Sequence, residues 1–587
     1  MIKQNFKLLF KSLHISIPIG LLLIYYIGNL IYGIYSYSLN GDVLFYLQTP
    51  LEACFISFIV LLYASYEFFY LFKLSLADET LFSHKNGKAR IYFSGTAVLS
   101  IIPALEFILA FAFNFIIFNL SGMTDTNYLM HIIFVLFLYT FLGGIIPVLL
   151  GIIIGGKFKR IVSYAFIALI IFIVSSASDF LPGSLSQMTF INFWKLKYFF
   201  TYFLPNDLDF FVNYDYGMYL EPYRWNLTLF WIFLFLFMVF VSCSIKNKQI
   251  KITAFVITIA LSLTNLSGYF IGGSHIEKGP ELDSISMSDY VYYKNHKKLN
   301  EEPNFQVKSY NMDLSINREL SAEVKTTLSN SNLKKYKFTL YHGYNITEIT
   351  DNNDRKLNYE RKGDYVTVDN LYDSSALKFK YSGYSSVLYS NYQACSLPGF
   401  FPYYPIAGFY DFVNDFGTFT PVCNLPKADF SVKINSLKPI YTNLNKVSGN
   451  ENSFDGYTNC PMLFSGFYEK CESEKYHIYK ITVKGWGLSS FTENDLDSLQ
   501  SHLTKLESSE NDSVNLEDYI IIQLNDTVLN SCLGGYAFLG DNVILLPNIT
   551  DEETKQQVAE SLIQQKALGY SQFAEKQNNV TIEKISE

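Results

Sequence analysis

Charge is scarce in this sequence. Only 17% of its 587 residues are Asp, Glu, Lys or Arg, and the formal net charge is -8. The acidic balance excludes a nucleic-acid partner, because such binding draws its affinity from clustered Lys and Arg. Histidine is also sparse, at eight residues, with no pair at a metal-ligand spacing. A cleaved signal peptide is not expected, because the first apolar run is too long and lacks a small-residue cleavage site. An ATP cradle is missing. Gly151 to Lys157 has the G-x-x-x-x-G-K skeleton, but Phe158 replaces the hydroxyl that would hold magnesium, and the run is part of an apolar helix. Gly151 and Gly155 fit a small-xxx-small helix contact better.

What the chain has in quantity is apolar length. Half of the residues are hydrophobic and 17% are aromatic, and the long apolar runs end before Ser274. A helix needs about 20 apolar residues to cross a hydrocarbon core of ~30 Å. Seven runs qualify: Ile15 to Tyr37, Leu51 to Leu74, Tyr92 to Leu120, Tyr128 to Gly155, Ile161 to Leu181, Trp225 to Ile245 and Ile252 to Ile271. The flanking charges orient them. Lys3, Lys7 and Lys11 precede the first run; Lys85, Lys88 and Arg90 follow the second. Lys157, Lys159 and Arg160 follow the fourth; Lys246, Lys248 and Lys251 follow the sixth. The alternate loops hold only Lys195, Lys197 and Arg224. This positive-inside bias makes the amino terminus cytoplasmic. Seven crossings then put everything from about Ser274 outside a cell (plasma) membrane.

Residues 1–14 form an amphipathic segment, either an interfacial helix or a plain basic leader. The loop from Pro182 to Tyr223 is too polar to span and reads as short helices at the outer surface. Glu106, near the middle of the third run and close to Pro103, is costly in lipid. It either lines a pathway or makes a buried helix–helix hydrogen bond. Glu67 lies nearer the cytoplasmic end, and Lys73 is a snorkelling anchor.

The polar half begins with a linker, residues 274–304. Residues 305–476 alternate in the manner of strands, as in Met312, Leu314 and Ile316, with turns such as Lys362-Gly363-Asp364. This predicts an antiparallel sandwich. Residues 477–587 read as α/β, with buried strands at Tyr519 to Gln523 and Val543 to Leu546. A helix from Thr554 to Leu568 follows, capped by Asp551. The expected fold class is therefore an α-helical membrane domain followed by a β-rich sandwich and a small α/β region outside the membrane. Cys460 with Cys471, and Cys395 with Cys423, are candidate disulfides. Connectivity is not fixed by sequence, and free thiols throughout are the alternative. Cys54 and Cys243 read as packing residues in spans.

The amino-terminal helix, six spans over residues 15–245, the outer hairpin before the sixth span, and an acidic-then-basic first cytoplasmic loop resemble permease subunits of ABC-2 type ABC transporters. A seventh span, residues 252–273, departs from that pattern. The resemblance implies an ATPase-coupling loop at Asp78, Glu79, Lys85, Lys88 and Arg90, with ATP and Mg on a partner subunit and no cofactor bound by this chain. It also implies a second permease, identical or not.

Tyr310-Asn311-Met312-Asp313-Leu314-Ser315-Ile316, Tyr336-Lys337-Phe338-Thr339-Leu340 and Leu377-Lys378-Phe379-Lys380-Tyr381-Ser382-Gly383 resemble strands of the amino-terminal domain of M1-family zinc aminopeptidases. Phe400-Phe401-Pro402-Tyr403-Tyr404-Pro405 falls where that family often carries a Trp-Tyr-Pro-like element. The catalytic motif does not carry over. The family binds zinc through H-E-x-x-H and a later Glu. The equivalent here is Ala559-Glu560-Ser561-Leu562-Ile563, with Ile582 where the third ligand would fall. Only Glu560 remains, and one carboxylate cannot replace three zinc ligands. The two resemblances together imply an exporter permease, or an immunity protein, for a peptide, antibiotic or lipid-like compound. Its outer domain would be non-catalytic and possess at most a peptide-binding surface. The rivals are a non-transporting membrane receptor and a membrane-tethered metallopeptidase.

Overall fold

A computed structural model describes the chain except residues 1–4, 6–8, 10, 42, 75–86, 190–192, 206–214, 219, 243–247, 272–291, 294–295, 331, 386–387, 414–418, 424, 472, 484–490, 507–512, 525–531, 534–535, 571, 575 and 577–587. It divides into two compact units, residues 1–213 with 217–274, and residues 214–216 with 275–587.

The first unit is helical. Its helices are α1 (Leu13–Asn40), α2 (Val43–Glu52), α3 (Cys54–Leu74), α4 (Gly87–Leu99), α5 (Ile101–Leu120), α6 (Thr126–Leu136), α7 (Gly143–Lys157), α8 (Arg160–Val174), α9 (Phe180–Thr189), α10 (Trp194–Thr201), α11 (Pro222–Ser242) and α12 (Lys248–Ile271). A π-helical turn, Phe137–Leu142, joins α6 to α7. Among the described residues, six helical stretches are long and apolar enough to cross a bilayer: Leu13–Leu39, Thr49–Leu74, Ala89–Leu120, Thr126–Lys157, Pro222–Ser242 and Lys248–Ile271. The fifth expected crossing is not one helix. Arg160–Val174 and Ser176–Leu185 meet at 79°. At 1.5 Å per residue, α8 is about 22 Å long, short of the ~30 Å core.

Contacts within this unit still show which end each helix reaches. At one end, called near, Lys73 Nζ donates to the Phe158 carbonyl at 3.4 Å, and Glu67 accepts from Tyr164 at 2.7 Å and pairs with Arg160 at 3.9 Å. So α8 starts near. At the far end, the Met218 amide donates to His131 Nε2 at 3.0 Å, one turn into α6. The Tyr202 ring meets Tyr223, at the start of α11, with centroids 5.5 Å apart. The chain therefore passes from near to far between Arg160 and Pro222, in pieces: α8, then α9 and α10. Lys197 ties α10 back, pairing with Asp179 and donating to the Ser175 carbonyl at 3.1 Å. Because α12 returns antiparallel to α11, with Phe237 against Phe255 and Tyr223 against Tyr269, it ends far.

Gly151 and Gly155 do serve helix contact. A Cβ on Gly151 would lie 2.6 Å from Ser65 Cβ, and one on Gly155 would lie 2.9 Å from the Tyr66 carbonyl oxygen, so α7 packs backbone-close on α3.

The second unit is β-rich. A seven-stranded sheet runs β12 (Asn445–Lys446), β13 (Ser453–Thr458), β10 (Ala428–Ser436), β1 (Val307–Ile316), β2 (Leu320–Leu328), β7 (Ala376–Gly383), β4 (Tyr344–Asp351). A four-stranded sheet is formed by β5 (Tyr359–Lys362), β6 (Tyr365–Asp369), β3 (Lys335–Thr339) and β9 (Ile406–Ala407); a three-stranded one by β11 (Tyr441–Thr442), β14 (Leu463–Ser465) and β8 (Cys395–Leu397). The alternation is as expected, with Met312, Leu314 and Ile316 buried. The fully antiparallel expectation fails at the centre of the large sheet, where β1 and β10 are parallel. That pairing joins strands more than a hundred residues apart and leaves no local turn signal.

A five-stranded sheet, β15 (Tyr468–Cys471), β16 (His477–Ile481), β17 (Ile520–Gln523), β19 (Val543–Leu546) and β18 (Phe538–Leu539), carries α13 (Glu493–Leu506) and α14 (Glu552–Leu568). Asp551 caps α14, accepting from the Thr554 amide at 2.8 Å. The linker is shorter than expected. Tyr293 and Leu299 already belong to the fold: the Tyr293 ring meets Phe412 edge to face, centroids 6.0 Å apart, and the Leu299 amide donates to Tyr365 at 2.8 Å.

Candidate functional site

The polar groups of the helical unit converge around Glu106. It lies on α5 at 1% exposure. Ser57 Oγ, from α3, stands 2.8 and 2.7 Å from its two carboxyl oxygens, so a single hydroxyl hydrogen serves both. Tyr26 of α1 donates to the Glu106 main-chain carbonyl at 3.2 Å. Beside them is a cavity of about 10 Å³, lined among others by Glu106, Ser57, Tyr139, Thr140 and Leu204. That is about the room of one water, and the polar lining supplies the partners a buried water needs.

The opposite charge is close in the network. Arg224, at 2% exposure on α11, donates from Nη1 to the Tyr139 hydroxyl and from Nε to the Tyr223 hydroxyl at 2.9 Å. Its guanidinium also covers the Tyr202 ring at 5.0 Å. Tyr139 thus joins a buried guanidinium to the cavity that holds the carboxyl. The local sequence explains the geometry. Tyr139 and Thr140 sit on the π-helical turn, a distortion often found at functional positions. Next along the chain, Gly143 lets the Phe203 carbonyl approach where a Cβ would be 2.5 Å away.

Of the residues singled out by sequence, Glu106 is in this cluster. Glu67 is also buried but stands apart, near the other end, with Tyr164 and Arg160. Asp78, Glu79 and Lys85 lie outside the described residues, as does most of the amino-terminal segment. Lys88 is on α4, and Arg90 is exposed there. Sequence reasoning missed Ser57, Tyr139 and Arg224, and read Arg224 as loop charge. Its place at the opening of an apolar run, beside Trp225, is the signal that could have revealed it.

In the second unit, Ala559 is fully buried in the core with Leu562, Ile521 and Ile544, and Ile563 packs against the same core. Glu560 faces solvent and accepts from Gln556 at 3.0 Å. The three positions do not converge. Tyr403 and Tyr404, in the Phe400–Pro405 segment, are core struts. The Tyr381 hydroxyl donates to the Tyr403 carbonyl at 2.7 Å and the Tyr310 hydroxyl to the Pro405 carbonyl at 3.2 Å.

The candidate disulfides are not formed: Cys395, Cys423, Cys460 and Cys471 are free. Strand pairing sets Cys395 opposite Ser465 and Cys471 opposite Ile478. Burial pushes the Cys395 thiol up to about 12 and raises Cys460 as well, so both stay as unreactive thiols.

No family model matches the chain, and no curated protein is similar to it. Among solved structures it is similar to leukotriene A4 hydrolase from Saccharomyces cerevisiae, at 12% identity and a TM-score of 0.31, over 46% of each chain. It is also similar to an M1 zinc metallopeptidase from Deinococcus radiodurans, at 13% identity and a TM-score of 0.30, over 46% of this chain and 65% of that one. A third is an aminopeptidase N family protein from Idiomarina loihiensis, at 9% identity and a TM-score of 0.27, over 40% of this chain and 42% of that one. The chain thus spans under half the length of the yeast enzyme. Likeness at these TM-scores transfers no chemistry.

Proposed function

We propose that the chain is the membrane subunit of an ATP-driven exporter, that ATP and Mg²⁺ bind a separate ATPase, and that the carboxyl-terminal unit is peptidase-like without catalysis. The observation that carries the reading is the enclosed polar cluster. Glu106, Ser57 and Tyr139 come from different helical segments and line a water-sized space, and Arg224 of α11 donates to the Tyr139 hydroxyl beside it. A bundle that only anchors a receptor has no use for a carboxyl and a guanidinium inside it, since each is costly in lipid. A transporter needs groups that can be hydrated when the helices part. The cargo class, a peptide, antibiotic or lipid-like compound, rests on the family resemblances alone.

The test is co-purification of the tagged full chain with an ATPase from its native membranes. Recovery of the ATPase with the wild type, and its loss in a variant carrying Asp78→Lys and Glu79→Lys, is the expected result. A chain that never retains an ATPase overturns the proposal. The tethered-metallopeptidase reading has less support, since a methyl group and a sec-butyl group stand at the positions of two zinc ligands. Zinc-dependent peptide hydrolysis by the purified chain would restore it.

A further inference from the structure

The outward face of the seven-stranded sheet is not uniform. Across β1, β2, β7 and β4 it is covered by ion pairs: Glu323 with Lys378 at 3.1 Å and Lys380 at 3.5 Å, and Glu348 with Lys380 at 3.8 Å. Lys433 with Asp313, at 3.8 Å, closes that cover on β10. Beyond this point the cover is broken: Lys446 of β12 is there, paired to Glu451 at 3.9 Å. Register sets Ser309, Asp429 and Tyr457 in one cross-strand row. It sets Asn311, Ser431, Asp455 and Asn445 in the next.

These residues line a groove of about 660 Å³, within the ~300–1,000 Å³ of ordinary ligand clefts. Among the described residues, neither Asp429 nor Asp455 has an ion-pair partner. The polar groups of both rows are available to a ligand. Tyr457 is 62% exposed, and Lys427 stands 6.0 Å from its ring centre while paired to Asp541 at 2.7 Å.

We infer that this groove binds a neutral oligosaccharide of two or three rings. Carboxylates accept from sugar hydroxyls, while Asn and Ser both donate and accept. Strand spacing arranges these groups on a grid of about 4.8 by 6.7 Å, on the scale of one sugar ring after another. The Tyr457 ring offers an apolar surface for the C–H face of a pyranose. Anions are opposed by the two aspartates. A cation would compete with Lys427 for the ring.

The test uses the full chain in lipid nanodiscs, because maltoside detergents carry a sugar headgroup. Maltotriose, cellotriose and triacetylchitotriose are titrated by calorimetry, with trilysine as the cationic comparison. At least one trisaccharide is expected to bind saturably. Tyr457→Ala and Asp455→Ala should each weaken it by about tenfold or more, with melting temperatures unchanged. Glu323→Gln, on the ion-paired part of the same face, should leave it unaltered. If a groove variant unfolds, Asn311→Ala gives the same reading. The inference is overturned if none of the three sugars binds, if the groove variants bind as the wild type does, or if trilysine binds in their place. The exporter proposal survives any of these outcomes, since ATPase retention is measured separately.

Discussion

Ser57 shows how much one hydroxyl does inside an apolar helical bundle. It is the side chain within hydrogen-bond reach of both Glu106 carboxyl oxygens, and removing a partner leaves a buried polar group to bear its own desolvation. Ser57→Ala is expected to cost about 1–3 kcal/mol, read as an earlier thermal transition in detergent or nanodisc. Ser57→Thr, which keeps the hydroxyl, should recover most of it; equal loss in both variants would mean that volume matters and the hydrogen bond does not. A surface carboxylate behaves in the opposite way. Glu552 is held down to about 2, first by the Lys555 hydrogen bond and then by His502, with Lys555 at 2.8 Å and His502 at 3.1 Å. A carboxyl depressed on folding stabilises fully above its unfolded value of about 4.3. That contribution is lost as pH falls through about 2. The denaturant midpoint of the second unit should therefore drop as pH falls from about 5 towards 2, and Glu552→Gln should flatten that slope.

At the level of helices and strands, the sequence is legible where one physical demand dominates. A bilayer-spanning helix demands a long apolar run, and among the described residues six helical stretches of that length and character lie within a few residues of their expected positions. The Asp551 cap and the Met312–Leu314–Ile316 alternation are equally local. What escapes is whatever depends on a partner far along the chain. The break after Val174 leaves α8 shorter than a bilayer core, bent at 79° from the helix that follows. The π-helical turn that presents Tyr139 leaves no mark in Phe137–Leu142. The parallel seam of β1 and β10 is fixed by tertiary pairing. The Glu106 site was half legible: a carboxyl in an apolar run announces itself, whereas Ser57 and Tyr139 look like ordinary helix residues. Gly151 was legible for its spacing, and it gives an element-scale prediction. A side chain there must displace Ser65 and the Leu62 carbonyl. Gly151→Leu should part α3 from α7 and lower stability by about 1–3 kcal/mol, measured by thermal unfolding. Gly20→Leu, at a site with nothing within 4 Å of the would-be Cβ, should be close to neutral.

For the molecule as a whole, the number of crossings decides everything about where its parts work. Helices of sufficient length number six among the described residues, which would return the chain to the side it came from. Tracing contacts gives a different answer. Lys73, Phe158, Arg160 and Glu67 gather at one end of the bundle; His131, Met218, Tyr202 and Tyr223 gather at the other. The segment from Arg160 to Pro222 connects the two, so it makes a passage that no straight helix makes. If the bent pair counts as one span the tally becomes seven, and α12 would then end opposite to where α1 begins. Basic residues agree, because Lys157, Lys159 and Arg160 precede that passage and Lys248 and Lys251 follow the next. Cysteines placed singly at Gly122 and after Glu587, in a background where native exposed thiols are blocked, should react with an impermeant maleimide added to intact cells. One placed at Lys159 should react only after the cells are opened. Protection of the carboxyl-terminal cysteine together with labelling at Gly122 would mean that α8 turns back, that the bundle crosses six times, and that the groove on β1, β10 and β13 faces the cytoplasm, where an external saccharide could not reach it.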